Sequence, residues 1–250
     1  MVDYSNSQSH FLEHGFCILQ GVLSAEDVRF MCEAADELNH GAKSMSNQVL
    51  FTHTSSPDNT PPLSDLMNQW LNPHRLLGRG STSDVAKKLN RIASKLFDEP
   101  MQIYQDLILC KNGGHKEFPW HQDAPFWPLQ FEKAATFWAP TCAVDESNGG
   151  LRLAPDAGES VFAAVNLHTG LRQDGTGEFQ PSTVFTPSLE PGDVLVFSPT
   201  MLHASGVRHE QSDRIAYASV FVDMGAKWDH DRAPNHPMCE ETVHGQLVCG

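Results

Sequence analysis

In the stretch WHQDAPFWP, Trp120 to Pro128, a histidine and a carboxylate stand two residues apart among aromatic residues and prolines. Pro119, Pro125 and Pro128 leave little room for a helix, and in a strand residues i and i+2 share one face. His121 and Asp123 are therefore expected to point the same way. An imidazole and a carboxylate converging from one strand offer two ligands to a divalent metal, and the two-histidine, one-carboxylate arrangement then needs a second histidine from elsewhere. The plain alternative is an imidazole hydrogen-bonded to the carboxylate, or both side chains facing solvent, and on this spacing alone it is the commoner outcome.

The chain has 13 histidines. His10, His14 and His40 fall on or near N-terminal helices, His53 and His74 in an irregular segment, and His230, His236 and His244 in a polar tail. His115 and His168 lie near strand ends and His209 in a charged turn. His203 differs. PGDVLVFSPTML opens with a Pro-Gly-Asp turn, runs through an apolar strand and delivers His203 at its far end, where a rigid sheet can aim a side chain inward. Further on, Arg214 opens RIAYASVFVD, in which Arg214, Ala216, Ala218, Val220 and Val222 share one face. If that face lines a barrel, a buried guanidinium needs an anion, and its planar fork suits a carboxylate. A dicarboxylate held by the metal at one end and by Arg214 at the other accounts for all four residues. The simpler alternative pairs Arg214 with Asp193 or Asp213 at the surface.

The elements that must position these residues are mainly β. MQIYQDLILCK, EFPWHQD, AATFWAPTCAV, LRLAP, SVFAAVNLH, DVLVFSP and RIAYASVFVD are short, rich in β-branched and aromatic residues, and separated by turn signals such as NGG, SNGG and PGD. Before them come HFLEHGFCILQGVLS, read as a short helix and a brief strand, and a helix opened by a near capping box of Ser24 and Asp27. Val28, Met31, Cys32, Ala35 and Leu38 form the apolar stripe of that helix. A further helix follows Ser83, with Val85, Leu89, Ile92 and Leu96 as its stripe and Pro100 just beyond its end. Residues 43–80 are rich in Ser, Asn, Pro and Gly; apart from a helical turn at SDLMNQWL they read as a lid loop. The expected organisation is one domain over 1–250, with a helical part to about residue 100, a β core over about 101–223 and a tail over 224–250.

Composition narrows the function. A formal charge of −14 opposes nucleic acid and acidic membranes as partners, and no apolar run approaches the ~20 residues of a membrane helix. No basic-then-apolar signal begins the sequence, so a soluble cytoplasmic protein acting on a small molecule is expected. The six cysteines include no CxxC pair, and Cys110 and Cys142 read as buried thiols.

GFCILQGVLS, PWHQD, NGGLRLAP and PGDVLVFSPTMLHASG, followed by Arg214, resemble in order the phytanoyl-CoA dioxygenase family of iron(II)- and 2-oxoglutarate-dependent oxygenases. The resemblance implies a double-stranded β-helix, or jelly roll, with helices packed on one sheet. It implies that His121, Asp123 and His203 bind iron and that Arg214 grips the far carboxylate of 2-oxoglutarate. Ser205, Trp138 and Gln105 fall at further positions around that co-substrate. O2 is the other substrate, and succinate and CO2 are released as a small metabolite or natural product is hydroxylated, desaturated or cyclised. A carboxylate at position 123 is implied for hydroxylation, since halogenating relatives carry a small residue there. The chain ends in LVCG, not a peroxisomal signal, which argues against acyl-CoA as substrate. Two alternatives stand beside this reading. One is an oxygenase of nucleic acid or protein; the other is a cupin-type isomerase or non-catalytic metal-binding barrel, which has no use for an inward Arg214. Phe126 and Trp127 serve either as a substrate wall or as core.

Overall fold

The computed structural model describes residues 4–41, 67–71, 73, 80–111, 113, 116–157, 160–162, 164–165, 171–207, 213–229, 231, 242–243 and 246–247. Among these residues, three α-helices precede most of the strands: α1 (Ser5–His14), α2 (Ala25–Gly41) and α3 (Gly80–Leu96). Ser24 caps α2 as expected, its Oγ accepting from the Asp27 N–H at 3.2 Å while Asp27 Oδ2 accepts from the Ser24 N–H at 2.7 Å. Met31, Ala35 and Leu38 of α2 and Val85, Leu89, Ile92 and Leu96 of α3 are buried in one cluster. The same cluster takes Ile108, Phe137, Tyr217 and Phe221 from the sheet, so the helices cover that sheet's outer face.

That sheet has six strands in the order β1 (Phe16–Leu19), β8 (Val194–Phe197), β6 (Ala134–Pro140), β10 (Arg214–Asp223), β3 (Met101–Lys111) and β2 (Asn68–Leu71). A smaller sheet orders β4 (Phe118–His121), β9 (Leu202–Ser205) and β7 (Leu151–Ala154). Leu151 and Leu153 of the smaller sheet pack with Trp138, Leu195, Ala216 and Ala218 of the larger one, which closes the jelly roll. β5 (Leu129–Gln130) pairs with β11 (Lys227–Trp228), bringing the start of the C-terminal stretch against Trp127 and Tyr104.

Alternation along β10 follows the sequence pattern. Ala216 and Ala218 lie between the sheets, whereas Tyr217 faces the helices, where its hydroxyl donates to Asp106 at 2.8 Å. Five expectations need correction. α3 opens at Gly80, so Ser83 lies within its first turn and is not its cap. SDLMNQWL carries a strand and not a helical turn, because Asn68–Leu71 pair along the edge of β3 and Trp70 is buried there. SVFAAVNLH forms no named strand among its described residues. The Gln122 side chain donates to the Ser160 carbonyl at 2.9 Å and accepts from the Phe162 N–H at 2.8 Å, doing locally what a strand neighbour would do. The strand in EFPWHQD ends at His121, and Asp123 begins a 3-10 turn over Ala124–Phe126. Cys142 is half-buried, lying in the turn after β6, whereas Cys110 is buried. Apart from residues 67–71, 73 and 80, the expected lid lies outside the described residues, as do His53, His74, His115, His168, His209, His230, His236 and His244 and the side chains of His40 and Ser83. No helix among the described residues is long and apolar enough to cross a membrane.

Candidate metal centre

His121 and His203 face each other across the antiparallel pair β4–β9. Phe118 lies opposite Ser205 in the same pair, so three steps along β4 match two along β9. This is a bulge at Pro119–Trp120, and it turns both Phe118 and His121 to the inner face; proline suits it, having no N–H to leave unpaired. Phe118 then packs against the His121 ring at 4.9 Å between centroids.

Each imidazole is oriented by a backbone carbonyl two residues earlier. Nδ1 of His121 lies 2.9 Å from the Pro119 oxygen, and Nδ1 of His203 lies 2.9 Å from the Met201 oxygen. A carbonyl only accepts, so each Nδ1 carries the proton and each Nε2 offers its lone pair. The two Nε2 atoms lie 3.8 and 3.7 Å from Asp123 Oδ1, beyond hydrogen-bonding range but close enough for one cation to draw all three together. Burial, with His203 alongside, holds the His121 imidazole well below its ordinary pKa, hence neutral and ready to ligate. The second carboxylate oxygen, Oδ2, accepts from Thr136 Oγ1 at 2.9 Å, which leaves Oδ1 turned towards the two imidazoles. No other cluster of this kind occurs among the described residues, and the triad fits an iron site.

The triad lies in the wall of a cavity of about 170 Å³ whose lining includes Gln105, Trp138, Ser205 and Arg214, so the structure brings every residue singled out in the sequence to one place. Arg214 is 1% exposed. Its guanidinium donates to the Gly149 carbonyl, touches Met67 Sδ at 3.7 Å and lies over the Trp138 ring at 5.4 Å. The NGG turn explains that carbonyl: Gly149 has φ +86°, and a side chain on Gly150 would meet the Asp145 oxygen at 2.6 Å. Trp138 is buried, and its Nε1–H has no hydrogen-bond partner among the described residues. A buried donor beside a buried guanidinium suits an acidic ligand. Phe126 and Trp127 line the cavity too, and both also pack with the aromatic cluster around Tyr104, so they serve as wall and core together.

Three contributors were not singled out in the sequence. Thr136 precedes Trp138 by two residues on β6 and so shares its face, a signal that alternation alone provides. Lys111 likewise continues the Gln105, Leu107, Leu109 face of β3. Tyr104 breaks the same rule: the register of β3 against β10 shifts between Val220 and Phe221, and both Tyr104 and Gln105 reach the cavity.

A jelly roll carrying two histidines and a carboxylate on one inner face is the framework of non-haem iron oxygenases. Residues 11–216 match the family described as phytanoyl-CoA dioxygenase (PhyH). The chain belongs to that family and is a non-haem iron, 2-oxoglutarate-dependent dioxygenase. It is 21% identical over 230 residues to a probable alpha-ketoglutarate-dependent hypophosphite dioxygenase of Stutzerimonas stutzeri, covering 87% of this chain and 79% of that one. Among solved structures it is similar to the non-haem alpha-ketoglutarate-dependent carbocyclase SnoK of nogalamycin biosynthesis, with TM-score 0.75, 17% identity and coverage of 98% and 93%. It is also similar to the epimerase SnoN in complex with Fe3+, alpha-ketoglutarate and nogalamycin RO, with TM-score 0.69, 19% identity and coverage of 89% and 84%.

Proposed function

We propose that His121 and His203, each through Nε2, and Asp123, through Oδ1, hold iron(II), and that Arg214 and Ser205 take the far carboxylate of 2-oxoglutarate beside Trp138. The observation that carries this reading is the pairing of a triad with pre-set imidazole tautomers and a buried arginine in one cavity. When bound, iron(II) with 2-oxoglutarate and O2 supplies an oxidant for hydrogen abstraction, leaving succinate and CO2. The protein's own work is placement. The Pro119 and Met201 carbonyls fix the imidazoles, Thr136 fixes the carboxylate, and Phe118, Phe126, Trp127 and Leu151 give the cavity an apolar wall.

The substrate of this reading is a small organic molecule, with hydroxylation the main outcome and desaturation or ring closure as variants. The cavity's size supports a small molecule, the charge of −14 weighs against a nucleic acid, and Asp123 is itself the third protein ligand, the carboxylate that this reading ties to hydroxylation. The activities for which the relatives are named, a probable hypophosphite dioxygenase, a carbocyclase and an epimerase, span several outcomes on one framework.

Anaerobic thermal unfolding tests the reading. Iron(II) should raise the midpoint, and 2-oxoglutarate should raise it further only when iron is present; a ligand at about a hundred times its Kd adds about 2.7 kcal/mol. Admitting air should then yield succinate, and a metabolite panel scored by accelerated succinate release should find the substrate class. Failure of 2-oxoglutarate to stabilise the iron-loaded protein would favour a cupin-type barrel instead.

The role of Thr136 gives a second test. Thr136→Val preserves shape but removes the bond to Asp123, and loss of such an outer partner weakens metal binding by roughly 10- to 100-fold. Chelator competition under anaerobic conditions should show that loss with the fold intact. Unchanged iron affinity would mean that Asp123 needs no support from β6.

A further inference from the structure

Lys111 closes β3 directly opposite Arg214 on β10 and is fully buried. Its Nζ lies 3.0 Å from Ser205 Oγ and 3.4 Å from the Ser205 carbonyl oxygen. When Lys111 is protonated its ammonium only donates, so Ser205 Oγ then accepts, and the hydroxyl's own proton turns away from Lys111. Ser205 and Arg214 both line the cavity, while Lys111 stands behind them. No carboxylate lies within ion-pair distance of Lys111 among the described residues, and a buried charge without a counter-charge is costly. Burial pushes its pKa down to about 7, helped by Arg214 and Arg152 and opposed by Glu117.

We propose that Lys111 is a positioning residue for the co-substrate. When protonated it sets the Ser205 hydroxyl as a donor to the far carboxylate, whose negative charge, shared between Arg214 and Lys111, lowers the cost of the second buried positive charge, so that binding takes up a proton. The inference rests on the reading of the cavity given under Proposed function. The sign is fixed by the order of events. In the empty site above pH 7 Lys111 is mostly neutral; an arriving carboxylate raises its pKa, and the amine takes a proton from the buffer. Affinity for 2-oxoglutarate therefore falls as pH climbs from 7 towards 9.

The test is anaerobic calorimetric titration of the iron(II)-loaded protein at pH 8, in two buffers of different ionisation enthalpy. The titrants are 2-oxoglutarate and 2-oxopentanoate, which has the same chain without the far carboxylate. The wild type should take up close to one proton with 2-oxoglutarate and none with 2-oxopentanoate, a readout that needs no variant. Lys111→Met should bind 2-oxoglutarate about 10- to 100-fold more weakly, without proton uptake, and 2-oxopentanoate as the wild type does. In a Ser205→Ala background the same substitution should cost less, because part of its effect runs through that hydroxyl. Equal losses for both titrants, an unchanged affinity for 2-oxoglutarate, or absence of proton uptake by the wild type would overturn the proposal. If the iron-loaded wild type does not bind 2-oxoglutarate at all, the reading of the cavity itself falls, and this outcome is distinct from the other three.

Discussion

Asp123→Ala is expected to abolish 2-oxoglutarate turnover and the stabilisation of the fold by iron(II). Asp123 is the anionic member of the triad, and its Oδ1 is the atom both imidazole nitrogens face. Without it, two neutral imidazoles must hold a dication in a largely buried cavity. The loss should exceed the roughly 10- to 100-fold typical of an outer partner such as Thr136. The apoprotein should survive, since the carboxylate is partly exposed and its removal deprives Thr136 Oγ1 of one acceptor, a cost of about 1 kcal/mol. For a chain of this size that is a fall of roughly 2–4 °C in the unfolding midpoint. Anaerobic unfolding with and without iron(II), followed by a succinate assay in air, separates the two effects. Wild-type turnover in the variant would remove Asp123 from the metal centre.

Features set by alternation were legible in the sequence, and features set by a register shift or a turn were not. Arg214, Ala216 and Ala218 could be put on one inner face because a central strand with two different neighbours keeps period two. His203 could be singled out because a turn and an apolar run precede it. The convergence of His121 and Asp123 was expected, but by another route. Within β4 a bulge reorients His121, and Asp123 reaches the site from a 3-10 turn after the strand has ended. Neither is written in local propensity, since a bulge is fixed by the partner strand and the turn by a tertiary bond from the Ala124 N–H to the Pro199 carbonyl. The pairing of β2 with the edge of β3 is of the same kind, a tertiary contact that overrides a weak local preference. Family resemblance brought Ser205, Trp138 and Gln105 to notice. Lys111 and Thr136 needed only the face rule, but a charged residue at a strand end ordinarily reads as solvated, and burial is what makes Lys111 informative.

Arg214→Ala is expected to separate the metal from the co-substrate: iron(II) still stabilises the fold, but 2-oxoglutarate no longer adds to it. The guanidinium is held by the Gly149 carbonyl and Met67 beside the Trp138 ring, so its fork is set before any ligand arrives. Two charge-assisted hydrogen bonds to a carboxylate contribute about 1.5–3 kcal/mol each, and their joint loss lowers affinity by roughly 10²- to 10⁴-fold. Lys111 offsets little of this. Losing Arg214 relieves the repulsion that lowers the Lys111 pKa, leaving the amine more fully charged, yet it still stands behind Ser205 and cannot supply a fork. The Gly149 carbonyl loses a donor, which costs about 1–3 kcal/mol of stability and should appear as a lower midpoint in the apoprotein. The diagnostic pattern is thus a normal increment with iron(II), none with 2-oxoglutarate, and no succinate in air. Were 2-oxoglutarate to stabilise the iron-loaded variant as it does the wild type, the far carboxylate would lie elsewhere, and Arg214 would be a structural brace between the NGG turn and β10.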